Sequence, residues 1–375
     1  MLRSTLALVA LAVGACADPT TSLDPPLDPG TGLRIPAIPP VPALPDWPDN
    51  PPTEEKRRLG AALFADMRLS GSGHTVCANC HLPAGAFQSG GPRDTPDRSF
   101  PAIAPTLHRN TPSLFNLVYA PIARWDGGHF TDLVDVLVLP LAEPNMNLSR
   151  LATSAGDAID VPAAQANLHR ALTVEIPGYR ALFQTAFGED LAAATPARAW
   201  RLAGEALAVY IRVAVSRDAA FDAWNAGDDT AIGDAAKRGA LLFTGDARCV
   251  DCHHGPLLSD FEFHNVSTSL PDASGARPDE GRYLVTGLER DRGKFLTPGL
   301  RSASKTSPYL HDGSQVSIAK VIAHFADEAA RSDPLQELDR IPALSDTDID
   351  DLVQFIKSLD GAPLPAADLA PPTLP

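Results

Sequence analysis

The chain has 375 residues, of which 44% are hydrophobic and 21% are charged, and a net charge of −15. This length and composition predict a globular protein of two domains. The acidic charge argues against nucleic acid or an anionic membrane surface as a partner, while a basic redox partner would suit it.

The first residues predict an export signal. Arg3 supplies a positive charge, residues 6–14 are apolar, and Cys16 ends a Val-Gly-Ala-Cys sequence that resembles a lipoprotein cleavage site. We expect residues 1–16 to be a signal peptide with a lipid-bearing cysteine, so that the protein is periplasmic and reaches the membrane through a lipid anchor only. An ordinary signal peptide with an incidental cysteine is the alternative.

A proline-rich stretch follows the signal. Residues 17–52 contain twelve prolines, which predicts an extended tether without regular secondary structure. Thr53 then has the features of a helix N-cap, since Glu54 and Glu55 occupy the first turn. This helix is expected to end near Asp66.

Two C-x-x-C-H motifs are the strongest signals in the chain, because this pattern attaches a c-type haem. The two thiols bind the haem covalently and the histidine becomes an iron ligand. A redox cysteine pair or half of a zinc site is the alternative, but further cysteines or histidines at zinc spacing are missing. We therefore predict two covalently bound haem c groups, one on Cys77, Cys80 and His81 and the other on Cys249, Cys252 and His253.

The remaining elements predict a mainly α fold with two cytochrome c-like haem domains and long haem-wrapping loops. Helical patterns cover 132–139, 163–172, 177–187, 197–215, 233–243, 317–330 and 345–361, whereas 82–124 and 254–310 resemble loops. A polar break near 225–229 separates the halves. The expected divisions are the domains 53–225 and 226–361 and a proline-rich tail, 362–375.

The order of several short motifs resembles the bacterial di-haem cytochrome c peroxidase and MauG family over about residues 50–361. Around the first haem motif these are Leu59-Gly60, Arg68-Leu69-Ser70, Arg109-Asn110-Thr111-Pro112 and Trp125-Asp126-Gly127. In the second half they are Gly281-Arg282, Phe295, Thr297-Pro298, Leu300-Arg301 and the run from Pro308 to Gly313.

The resemblance implies roles for several matched residues. Trp125 would relay electrons between the haems, although a core tryptophan is the plainer interpretation. Asn110, with the carbonyls of Thr306 and Pro308, resembles an inter-domain calcium site, for which oxygen ligands are suitable; ordinary turn hydrogen bonding is the alternative. His311 would lie near the second haem without ligating iron.

The second half departs from the family at the expected sixth iron ligand. Relatives place Met or Tyr fourteen residues after the position of His311, where this chain has Phe325, which has no lone pair. His324 is a possible ligand, but it is rotated by ~100° from that position on a helix. Water or another ligand is the alternative. The methionines are Met1, Met67 and Met146, so a sulfur ligand would require Met146 to reach across.

The distal side of the first haem also departs from the family. The resemblance places Gln and Glu ten and twenty residues after the tryptophan, where this chain has Asp135 and Asn145. Either Asp135 or the nearby Glu143 could serve as the acid–base group, or both could be solvated charges. The distal histidine would align with Ala102, so the first haem is expected to react without prior reduction; His108 is a less favoured ligand.

The resulting functional prediction is an oxidoreductase that reduces hydrogen peroxide at the first haem, with electrons relayed from the second. The donor would be a small cytochrome or another redox protein. A MauG-like enzyme that uses peroxide to oxidise a Trp or Tyr of a partner protein is one alternative. A non-enzymatic electron carrier is the other, and it predicts two six-coordinate haems that do not bind peroxide.

Overall fold

Helices dominate the computed structural model. It describes residues 33–88, 109–128, 132–143, 146–149, 159–327, 332–338, 342–370 and 372–375. Their one sheet is a two-residue antiparallel pair, β1 (Phe263–His264) and β2 (Phe295–Leu296). The predicted mainly α fold is confirmed. None of the described helices is long and apolar enough to span a membrane.

Twelve α-helices lie in the described residues. In chain order they are α1 (Glu54–Ala65), α2 (Cys77–Cys80), α3 (Leu133–Val138), α4 (Val161–Arg170), α5 (Gly178–Phe187), α6 (Pro196–Ile211), α7 (Ala220–Asn225), α8 (Asp234–Thr244), α9 (Tyr283–Thr286), α10 (Ile318–Ala326), α11 (Asp346–Ser358) and α12 (Ala366–Leu369). A π-helical turn, Ala171–Glu175, extends α4.

A similar pair of packed helices occurs in each half, and the first helix of each pair precedes the haem motif. In the first half α1 packs on α6, and a β-carbon added at Gly60 would lie only 2.1 Å from the Ala206 carbonyl oxygen. In the second half α8 packs on α11, and a β-carbon at Gly239 would lie 2.0 Å from the carbonyl oxygen of Asp351. Only glycine permits these approaches. The two halves therefore share a structural repeat, a helix pair packed closely at a glycine.

Each half has its own hydrophobic core. The first is built around α1, α4, α5 and α6 and extends to Ala214, and the second is built around α7, α8 and α11. The sequence prediction placed the division at 225/226, but Phe221 of α7 belongs to the second core. Its ring makes an edge contact with Phe355 at a centroid distance of 5.4 Å. Aromatic packing therefore draws α7 into the second half.

The described part of the proline-rich segment packs on both halves. Ile35 and Ile38 are buried in the second core, and the Ile35 N–H donates to Asn225 Oδ1 at 2.8 Å. Further along, Asn50 Nδ2 donates to the Glu205 carbonyl of α6 at 2.9 Å. Residues 33–52 thus have no regular secondary structure but contact both cores, because isoleucines interrupt the prolines. The C-terminal tail returns to the first half through Arg57 and Asp368.

Candidate haem centres and the contacts between them

The first haem motif orients its histidine so that one ring nitrogen can bind a metal. Cys77 and Cys80 begin and end α2, and the His81 N–H donates to the Cys77 carbonyl at 2.8 Å. His81 Nδ1 lies 3.1 Å from the Phe87 carbonyl, to which it can only donate, so Nε2 keeps its lone pair. Burial lowers the pKa of His81 to about 4, so the ring is neutral at pH 7.

The second motif repeats this arrangement on a tight turn, Cys249–Asp251. The His253 N–H donates to the Cys249 carbonyl at 2.8 Å, and Nδ1 donates to the Leu258 carbonyl at 2.9 Å. Burial lowers the pKa of His253 as well. A backbone bond of this kind orients a ligating imidazole and fixes its tautomer. Two thiols and one neutral imidazole in each half therefore fit the predicted haem c.

Trp125 is held by both halves of the molecule. Its indole Nε1 donates to the Asn110 carbonyl at 2.8 Å, and its own carbonyl accepts from the Leu296 N–H of β2 at 2.8 Å. The following residue, Asp126, accepts from Arg109, which also forms a two-pronged ion pair with Asp279 of the second half at 2.6 and 2.9 Å. The half-buried tryptophan therefore lies where the halves meet.

His311 is buried at the contact between the two halves, beside β2. Its ring stacks on Phe295 of β2, with centroids 3.7 Å apart and planes 14° apart. Its carbonyl accepts from the Asn110 N–H at 2.6 Å. Asn110, His311, β2 and Trp125 therefore contact one another in a ring across the interface between the halves. Phe295 of β2 belongs to this ring, although the sequence did not predict a role for it.

The predicted calcium residues are partly brought together. Asn110 Nδ2 lies 2.6 Å from the Pro308 carbonyl oxygen, while Thr306 hydrogen-bonds through its hydroxyl to Ala303. Gln88, which sequence reasoning missed, lies 3.2 Å from Asn110 Oδ1 and 3.0 Å from the Pro308 oxygen through Nε2. Its side chain is buried, and Oε1 has no hydrogen-bond partner among the described residues.

The two candidate acid–base carboxylates differ in their surroundings. Glu143 Oε1 forms an ion pair with Arg124 Nη2 at 2.5 Å, and Arg124 directly precedes Trp125 in the chain. Asp135 lies in the first turn of α3, where its backbone N–H is capped by Asp132. Glu143 is therefore tied to the tryptophan segment. The other distal candidates, Asn145, Ala102 and His108, lie outside the described residues.

The candidate sixth ligand of the second haem is engaged elsewhere. His324 lies in the last turn of α10, and its Nε2 is 2.8 Å from the Val266 carbonyl. Phe325 presents an edge to the His324 ring at a centroid distance of 5.8 Å. Ligation through Nε2 would require the hydrogen bond to Val266 to break.

A charged cluster beside the second motif was not foreseen. Among the residues the structure describes, Cys252, Asp260 and His264 are the one group of three potential metal-binding side chains, with their donor atoms within 4.8 Å of one another. Asp260 lies in the loop before β1 and His264 lies in β1, and their spacing of four residues has no predictive meaning outside a helix. Because Cys252 belongs to the haem motif, this cluster lies beside the candidate haem edge.

Comparisons with known proteins agree with these centres. A family model described as di-haem cytochrome c peroxidase matches residues 54–230. The methylamine utilization protein MauG of Methylophilus methylotrophus is 35% identical, over 84% of this chain and 85% of the relative. The cytochrome-c peroxidase IdrP1 of Denitromonas iodatirespirans is 32% identical, over 96% and 92% of the two chains.

Solved structures share the fold. A MauG-like protein associated with microbial copper homeostasis superposes with a TM-score of 0.69 at 25% identity, covering 95% of this chain and 99% of the other. The diheme peroxidase BthA of Burkholderia thailandensis gives a TM-score of 0.61 at 22% identity, covering 87% and 92%.

Proposed function

The chain belongs to the di-haem cytochrome c peroxidase family, which includes MauG, and from this premise we propose that it reduces hydrogen peroxide at a haem in its first half. Electrons would come from a haem in the second half through Trp125. The observation that carries this proposal is the position of Trp125, which hydrogen-bonds to Asn110 in the first half and to β2 in the second.

The family implies haem c as the cofactor, and haem iron supplies the site at which peroxide is bound and reduced. We propose that Cys77 and Cys80 anchor the first haem and that His81 ligates its iron. The hydrogen bond from His81 to Phe87 supports this role, because it points Nε2 away from the backbone. The corresponding residues of the second half are Cys249, Cys252 and His253, with His253 oriented by the Leu258 carbonyl.

Glu143 is the proposed acid–base group. Peroxide reduction requires a proton to move from the inner oxygen to the outer oxygen, which leaves as water, and a carboxylate can carry it. The ion pair with Arg124 ties this carboxylate to the segment that carries Trp125. Asp135 is the second candidate, and Asn145 can assist only as a hydrogen-bonding group because an amide does not carry a proton at neutral pH.

The MauG-like alternative is favoured by the absence of a sulfur ligand in the second half, where the family position holds Phe325. Such an enzyme would use peroxide to oxidise a Trp or Tyr of a partner protein. The hydrogen bond of His324 to Val266 favours water over His324 as the sixth ligand of the second haem. His311, stacked on Phe295, would stiffen the interface without binding iron.

Peroxide consumption by the purified di-haem protein tests the proposed function. With an artificial electron donor, we expect catalytic reduction of peroxide that depends on the donor. Turnover only in the presence of a partner protein, with modification of its Trp or Tyr, would favour the MauG-like alternative. Complete inertness of both haems toward peroxide would leave the electron carrier as the remaining function.

The cellular setting follows from the family and the N-terminal sequence. We propose a periplasmic enzyme whose donor is a small cytochrome or another redox protein, and which is held at the membrane by a lipid on Cys16. The Val-Gly-Ala-Cys sequence supports the anchor. Replacement of Cys16 by alanine behind an intact export signal should move the protein from the membrane fraction to the soluble periplasm.

We also propose calcium at the contact between the halves. The donor set fits, because the side-chain amides of Asn110 and Gln88 both contact the Pro308 carbonyl and each can present oxygen to a cation. The buried Gln88 Oε1, without a partner in the described chain, supports a missing positive charge. The Thr306 carbonyl would complete the protein ligands.

Removal of calcium should therefore weaken the contact around Trp125. Dialysis of the holoenzyme against a chelator is expected to remove about one calcium per chain and to slow electron transfer between the haems, and added calcium should restore the rate. Magnesium is the control, since it demands a smaller octahedral site. A protein that contains no calcium as purified and is unaffected by the chelator would contradict this site.

A further inference from the structure

His264 makes an unusual pair of contacts beside the second haem motif. Its Nε2 lies 2.9 Å from Asp260 Oδ2, and its Nδ1 lies 2.5 Å from Glu337 Oε2. A neutral imidazole has one N–H, so one of its nitrogens would face a carboxylate lone pair to lone pair; only the imidazolium donates to both. The hydrogen bonds to Asp260, Cys252 and Glu337 raise the pKa of His264 to about 12.

The other charges around His264 form a short alternating chain. Lys294 Nζ lies 2.6 Å from Glu337 Oε1, so the order is Lys294, Glu337, His264 and Asp260, with two positive and two negative charges. Burial alone would raise the pKa of Asp260, but the His264 hydrogen bond and others lower it to about 2. The pKa of Glu337 is also lowered, against the effect of burial, by its hydrogen bonds to His264 and Lys294, so His264, Asp260 and Glu337 are charged at neutral pH.

This row of charged side chains ends beside the sulfur of Cys252, the proposed haem-attachment residue. The donor atoms of His264, Asp260 and Cys252 lie within 4.8 Å of one another, and the Asp260 N–H donates to the Cys252 carbonyl at 2.8 Å. Charges at this distance act strongly on a neighbouring equilibrium, because the partly buried site screens them less than water does.

We propose that His264 is a positioning residue that holds up the reduction potential of the second haem by cancelling the negative charges of Asp260 and Glu337. Without His264, Asp260 and Glu337 would lose their shared positive partner, and the added negative charge near Cys252 would disfavour the added electron. The second half contains no methionine of its own that could raise the potential as a thioether ligand. This inference rests on the haem attachment at Cys252 proposed above.

The test is a redox titration of the holoenzyme in two variants that change the local charge in opposite directions. His264→Gln removes the positive charge and should move one of the two haem waves to lower potential. Glu337→Gln removes a negative charge and should move the same wave to higher potential. A nearby charge shifts a pKa by about one unit or more. We expect each variant to change the equilibrium constant for haem reduction by about tenfold, which for one electron is a potential shift of about 59 mV.

His254→Gln is the matched control. His254 is an exposed histidine next to His253 that hydrogen-bonds to the Val250 carbonyl and, within the described part of the chain, to no carboxylate. Its loss should leave both waves in place. If neither wave moves in His264→Gln, if both waves move equally, or if the two variants shift the wave in the same direction, the inference is overturned.

The titration separates this inference from the proposed function. The titration measures reduction potentials without peroxide. An enzyme that reduces peroxide but whose variants do not shift the reduction potential in opposite directions would therefore refute only the role of His264. A protein with the two opposite shifts and no peroxide reduction would refute only the peroxidase function. If His264→Gln fails to fold, Glu337→Gln still decides the question, because Glu337 is a partly exposed group that reaches the haem edge through His264.

Discussion

Replacement of Trp125 by phenylalanine is expected to slow peroxide reduction by about two orders of magnitude, the scale on which loss of one positioned catalytic group acts. Phenylalanine would keep most of the packing between the halves. It would remove the oxidisable indole and the Nε1 hydrogen bond to the Asn110 carbonyl. Stopped-flow spectroscopy would measure the effect as the rate at which electrons pass from the second haem to the first.

Trp47→Phe is the control for this variant. Trp47 lies on the proline-rich segment, where the Arg212 guanidinium is 4.3 Å from its ring centroid. Its replacement should leave the inter-haem rate unchanged. An undiminished rate in Trp125→Phe would show that Trp125 is an interface tryptophan and carries no electrons.

The second large effect is expected from Glu143→Gln, which should lower kcat/KM for peroxide by about 10²-fold or more. Glutamine keeps the shape of the side chain and can still contact Arg124, but it cannot exchange a proton. The fold should survive, since a partly exposed ion pair contributes only about 0–1 kcal/mol. The measurement is the steady-state kcat/KM for peroxide, together with thermal unfolding as a check of structure.

Asp135→Asn is the matched comparison for Glu143→Gln. It makes the same chemical change in the first turn of α3, and it should alter kcat/KM little. A large loss in Asp135→Asn with normal turnover in Glu143→Gln would transfer the acid–base role to Asp135. Equal small losses of kcat/KM in both variants would contradict catalysis by either of these two carboxylates.

Local patterns explain why much of the fold could be predicted. The haem motifs depend on residues within five positions, and the helix bounds follow from caps such as Thr195 before α6 and Ser345 before α11. Where a helix ended early, a distant residue was responsible. The predicted 197–215 helix stops at Ile211, since Asn116 hydrogen-bonds to the Ala214 carbonyl and the Ser216 N–H.

The site was harder to predict wherever it depends on residues distant in the chain. The pairing of Arg124 with Glu143, the approach of Gln88 to Pro308, and the contact of His264 with Glu337 join segments 19 to 220 residues apart, and none has a local signature. Charged residues in loops resemble solvated surface in a sequence. Their chemistry emerges only when folding sets one beside another.

The most direct test of the central claim is an electron paramagnetic resonance spectrum of the purified, never-reduced ferric enzyme before and after one equivalent of peroxide. The proposed function predicts a high-spin haem signal that is lost on mixing, without prior reduction, together with a second haem that responds more slowly in Trp125→Phe than in the native protein. Two low-spin haems whose signals are unchanged by peroxide would contradict a peroxidase and leave an electron carrier.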